Sequence, residues 1–128
     1  MRTMQPMLAR FAAFAAVFSL CGCAVTTADG TRLNPGSDGF ADYVETVFRR
    51  QNAAATELTL ALEDEDPASA RYVALEAAEL ELLTACRGLN QLAATRRDGD
   101  DPRGLAALRR ARQAPDCERA LERVDALL

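Results

Sequence analysis

With 128 residues the chain is long enough for one small domain and no more. Its 15 basic residues are all arginine and face 19 acids, and the net charge of −4 argues against nucleic acid or an anionic lipid surface as the natural partner. Histidine is absent, which removes the commonest general base, the commonest metal ligand and the one side chain that ordinarily titrates between about pH 5 and 8.

Arg2 and Arg10 form a short basic start, and Phe11 to Leu20 is an almost wholly apolar run. A run of about ten residues is too short to span a bilayer as a helix and has the proportions of a secretory h-region. It closes in Leu20-Cys21-Gly22-Cys23, where a leucine and a small residue precede a cysteine. This pattern resembles the lipobox of bacterial lipoprotein signal peptides, over residues 1–23 only. The resemblance implies acylation of the Cys23 sulfur, cleavage after Gly22 and a membrane-held N-terminus at Cys23. Cys21 is the poorer acceptor because it follows Leu20. Ala24 is not the aspartate linked to inner-membrane retention, so the resemblance further implies the outer membrane of a Gram-negative cell, on its periplasmic side. An ordinary secretory signal cut near Ala24 or Ala28 is the alternative that the basic-then-apolar pattern leaves open. Cleavage before Cys23 would leave 106 residues with 13 arginines against 19 acids, a net charge of about −6.

Residues 24–37 are small and polar and are broken by Gly30, Pro35 and Gly36. With Cys23 they read as a lipidated N-terminus and flexible tether spanning about 20 Å, ahead of a folded domain over residues 38–128. A first helix is predicted from about Asp38 to Glu63. Phe40, Val44, Val47, Phe48, Ala54, Ala55, Leu58, Ala61 and Leu62 recur there at steps of three and four. Ser37 or Asp38 suits its N-cap, and Gln51 falls on the apolar stripe. A second helix is predicted from Asp66-Pro67 to about Arg97, with Ala68, Tyr72, Leu75, Leu82, Cys86, Leu89 and Ala93 inward. Val73 and Leu80 lie almost opposite that stripe, so this helix is expected to be covered on two sides. A third helix should start at Asp101-Pro102 and end near Gln113. Pro115 then either kinks it or separates an amphipathic fourth segment, Asp116 to Leu128. No segment shows strand alternation, and the expected fold is an all-α bundle of three or four helices.

Once Cys21 leaves with the signal and Cys23 takes lipid, Cys86 and Cys117 remain. An even pair in an exported domain is by default a disulfide. The layout agrees: a third helix folding back from the 98–101 turn brings Arg112 level with residues 87–89 and Cys117 close to Cys86. Two buried free thiols are the alternative. Two thiols without histidine fall short of a zinc site, and no metal is expected.

Three polar features invite a functional reading. Glu79 projects onto the apolar stripe of the second helix, where it either pairs with an arginine, Arg71 and Arg112 being candidate partners, or lies at the stripe's edge; Gln51 and Asn90 are further interior polar groups. Residues 38–81 carry a balance of −8 and residues 82–128 one of +2, so Arg103, Arg109, Arg110, Arg112, Arg119 and Arg123 present a candidate partner surface for carboxylate or phosphate groups. That surface is equally suited to pair with the acidic half of its own bundle. The third is Phe48-Arg49-Arg50-Gln51-Asn52, which bunches aromatic and polar groups in mid-helix. There is no glycine-rich phosphate loop and no Ser/His/Asp set, so no cofactor and no catalytic residue are expected. The sequence therefore points to a lipid-anchored binding or scaffolding module for an unknown envelope protein. The rival is a small-ligand carrier or enzyme with an internal polar cavity near Glu79.

Overall fold

A computed structural model describes residues 24–99 and 105–128. The signal-peptide and lipidation expectations, with Cys21 and Cys23, lie outside these residues, as does Arg103.

A minimal hairpin opens the described chain: β1 (Val25–Thr26) pairs antiparallel with β2 (Arg32–Leu33), Val25 opposite Leu33 and Thr26 opposite Arg32. The loop between them is closed by its own polar groups. Thr27 N–H donates to Thr31 C=O at 2.9 Å and Gly30 N–H to Thr27 C=O at 3.0 Å. The Asp29 carboxylate accepts from the Thr27 hydroxyl and from Thr31 N–H. These two bonds hold the Asp29 carboxyl below its ordinary pKa. Gly30 takes φ +90, open to glycine at no steric cost. Val25 is 1% exposed and Thr27 7%, so the hairpin is docked on the bundle. This corrects the expected flexible tether. Two strands of two residues each carry no period that a sequence reading could detect.

Helix α1 runs Asp38–Asp64. Ser37 caps it, its Oγ accepting from Phe40 N–H at 3.2 Å. Phe40, Val44, Val47, Gln51, Ala54 and Leu58 form its buried stripe. Helix α2 runs Ala70–Ala85 and is capped by Ser69, whose Oγ accepts from Tyr72 N–H at 2.9 Å. The expected start at Asp66-Pro67 is thereby corrected. Asp66 instead builds the turn before the helix, its side chain accepting from Ala68 N–H at 2.9 Å and its carbonyl from Ser69 N–H at 2.8 Å.

The expected second helix is two. Cys86, at φ −89 and ψ 0, ends α2, and α3 runs Arg87–Arg97. Both pieces bury the same stripe (Leu75, Leu82, Cys86, Leu89), so the apolar period passes through the break without registering it. Gly88 lies in the first turn of α3, where a Cβ would come within 2.1 Å of Gln113 Oε1 and 3.1 Å of Gln113 Cβ. The missing side chain lets the next helix pass close by. That helix, α4, runs Leu105–Asp125 without interruption, so the expected third and fourth segments are one element. Pro115 inside it lacks a donor and crowds the carbonyl of Ala111, a local cost of about 3 kcal/mol. The ring is buried on the inward face beside Ala111 and Ala114. There the packing of α4 against α1, α2, α3 and β1 outweighs the local cost.

The core is continuous from Val25 through Phe40, Leu58, Leu75, Leu82, Leu89 and Leu121. Apart from the short hairpin, the described fold is an all-α bundle, as the sequence predicts. Cys86 and Cys117 are fully buried and disulfide-bonded, with Cα atoms 4.4 Å apart. The bond joins residues 31 apart in sequence, which restricts the unfolded chain by about 3–4 kcal/mol on the chain-entropy estimate. Urea unfolding of the Cys86→Ala/Cys117→Ala variant should show a loss of about that size. Two thiols that alkylate freely in the non-reduced protein would contradict the bond.

Candidate functional site

The sequence-predicted polar residues do not converge on one site. Glu79 is half-buried on α2 and borders a shallow groove with Val73, Glu76, Ala77, Leu80 and Leu83. It lies on the outer flank of α2, and Ala78 takes the inward position. Arg71, one expected partner, pairs instead with Glu65 at 3.3 Å, and no described ion pair joins Glu79 to Arg112. Glu79 therefore lies at the edge of the apolar stripe, and the rival reading of an internal cavity beside it finds no enclosed pocket there among the described residues.

Gln51 and Asn90 are interior as read. Gln51 is 6% exposed, and Gln51 Oε1 and Asn90 Oδ1 are buried without a hydrogen-bond partner among the described residues. Asn90 lines a cleft of about 490 Å³ between α1 and α3, walled by Ala41, Val44, Phe48, Ala93 and Ala94. Asp42 and Glu45 stand on one lip of it, Arg96 and Arg97 on the other. A cleft of this size and lining suits a small organic molecule.

The arginines of the positive half divide. Arg109 and Arg112 are exposed on α4 and Arg110 is half-buried. Arg119 pairs with Asp116, and Arg123 reaches Glu81 on α2. Arg50 bridges from α1 to Asp125 at 3.0 Å. Part of the charge asymmetry is thus spent inside the bundle, across solvent-exposed pairs worth little each.

One polar junction that joins three segments far apart in sequence was not singled out in the sequence. Glu118 on α4 accepts through one oxygen, Oε2, from the Tyr43 hydroxyl at 2.8 Å and from Ala28 N–H at 3.0 Å. It thereby ties α4 to α1 and to the hairpin. Burial and the Glu118 carboxylate together push the Tyr43 phenol well above its ordinary pKa. The only sequence signal was an acid one residue after an inward cysteine, too common to single out.

Among the described residues, no group of three acidic or thiol ligands could hold a metal ion, and no helix is long and apolar enough to cross a membrane. Compared with protein-family models, with curated proteins and with solved structures, the chain shows no significant match.

Replacing Glu118 with alanine strands the Tyr43 hydroxyl and the Ala28 N–H, and urea unfolding should show a loss of about 1–3 kcal/mol. An unchanged midpoint would remove the junction from the account. A raised folded-state pKa means the Tyr43 contribution is full below the unfolded value of about 10 and is lost as pH rises beyond it. Tyr43→Phe should therefore flatten the alkaline decline in stability.

Proposed function

We propose that this chain is a bacterial envelope lipoprotein, acylated at Cys23, whose helical bundle serves as a binding or scaffolding module at the periplasmic face of the outer membrane. The address rests on the resemblance of Leu20-Cys21-Gly22-Cys23 to a lipobox. The observation that carries the rest is the docked hairpin. Val25, buried at 1% exposure, stands two residues after Cys23, so no more than about 7 Å of backbone separates the acylated residue from the folded domain. An anchor so placed holds the bundle against the membrane surface, where its partners must come to it. A long tether would serve reach into the periplasm; this arrangement serves fixed position. On this reading the chain is a module and not an enzyme.

A second reading, a small-ligand carrier, is favoured by one observation: the α1–α3 cleft has apolar walls, is bordered by Asn90 and carries acids on one lip and arginines on the other. A ligand with an apolar body and a polar end would fit it. Thermal-shift screening checks this, since stabilisation by such a compound should weaken in Asn90→Leu.

Replacing Cys23 with alanine and fractionating cells tests the anchor. The variant should move from the membrane fraction to the soluble periplasm or remain as uncut precursor, without incorporating fatty acid. Unchanged, lipid-free membrane association would sink the lipidation claim.

A further inference from the structure

Helix α2 is apolar on both sides. Leu75, Ala78 and Leu82 face the core, and the opposite side presents Val73, Leu80 and Leu83 at 59%, 67% and 56% exposure, with Ala77 among them. These side chains line a shallow groove of about 450 Å³ together with Glu76 and Glu79. Contiguous exposed apolar surface rimmed by polar groups marks a docking surface. The spacing of Val73, Leu80 and Leu83 matches the seam that a helix presents to another helix.

The charges select the occupant. The two ionisable groups of the groove are both acidic. The nearest arginine on the helix, Arg71, is engaged by Glu65, and Glu81 is engaged by Arg123. A second copy packed antiparallel on the same face would bring Glu76 and Glu79 against their own counterparts, like charges facing each other across a seam. An anionic lipid surface would be repelled in the same way. A helix with its own apolar stripe flanked by arginine or lysine meets both requirements. We propose that the outward face of α2 docks a cationic amphipathic helix of a partner protein, with Leu80 and Leu83 as its apolar anchors and Glu76 and Glu79 selecting positive flanks. This inference rests on the reading of the chain as a binding module and names the face and the partner's chemistry. It does not depend on Cys23.

The test uses the full chain carrying Cys23→Ala, so that loss of the anchor and loss of docking are separate results. The probe is a synthetic amphipathic peptide as long as α2, with leucines on one face and arginines flanking them; its counterpart carries glutamates for the arginines. Fluorescence anisotropy should show binding of the arginine peptide, weakening as salt rises, and none of the glutamate peptide. Leu80→Ser/Leu83→Ser should weaken binding at least about tenfold, and Glu76→Gln/Glu79→Gln should reduce its salt dependence. Leu60→Ser, at an exposed apolar position on α1, should leave affinity unchanged. Leu60, Glu76, Leu80 and Leu83 are exposed and Glu79 is half-buried and changed only to its isosteric amide, so the variants should fold, which unchanged circular dichroism would verify. Equal binding of the two peptides, or full affinity in Leu80→Ser/Leu83→Ser, would overturn the proposal. So would sedimentation as a dimer that Leu80→Ser dissolves, since the face would then belong to a second copy.

Discussion

Two consecutive residues of α4 hold the described structure together. Cys117 is bonded to Cys86, the residue at which α2 gives way to α3. Glu118, about 100° further round the helix, accepts from Tyr43 of α1 and from the backbone of Ala28 in the hairpin. One position acts on the unfolded chain by restricting it, the other on the folded state by satisfying two partly buried donors with one carboxylate oxygen. Because the two point in different directions from a single turn, every other element is referred to α4. A small domain has little core to spare, and cross-links at its central helix contribute disproportionately to its net stability. The same centrality explains how a proline survives in mid-helix: the inward face of α4 packs against α1, α2, α3 and β1, and a missing local bond is tolerated where those contacts decide the conformation.

The Glu118 junction also gives the N-terminus its meaning. A chain that leaves a membrane-held cysteine through a loose linker explores a volume; one that enters a docked hairpin within two residues is held in place. The hairpin is small, but its loop saturates its own polar groups through Thr27, Asp29 and Thr31, and Val25 is anchored in the main core. On the proposed reading, membrane and bundle are joined as nearly rigid neighbours. The outward side of α2 and the α1–α3 cleft are then presented from a fixed base.

Legibility in the sequence followed the physics of each signal. The α1 stripe and the buried Gln51 were readable because a long amphipathic helix repeats its pattern many times, and its cap was narrowed to Ser37 or Asp38, of which Ser37 is the one. The cysteine pair was readable because two independent lines, export and helix register, met at the same positions. The break at Cys86 was not, since the apolar period continues across it and only Gly88 hints that another helix passes close. Pro115 was left open between a kink and a boundary because local cost is visible in sequence and the compensating packing is not. The hairpin was missed for lack of length, and Glu118 because a junction of three segments far apart in sequence leaves no local trace. Glu79 was legible only as a choice between the stripe and its edge: it sits at the margin between the inward and outward faces of α2, where helical projection decides least.

The second apolar side of α2 was legible, in Val73 and Leu80, and it is the part of the molecule whose purpose the fold does not use up. The fixed position of the bundle depends on the fusion of the N-terminal hairpin to it. Amide hydrogen exchange resolved at Thr27, Ala28 and Gly30 tests this most directly, because Thr27 and Gly30 donate within the hairpin loop and Ala28 donates to Glu118 on α4, a bond that exists only when the hairpin is docked. Slow exchange is expected at all three, with Ala28 protected to nearly the level of the α4 core. Exchange of these amides at the rate of an unstructured chain would contradict the fusion.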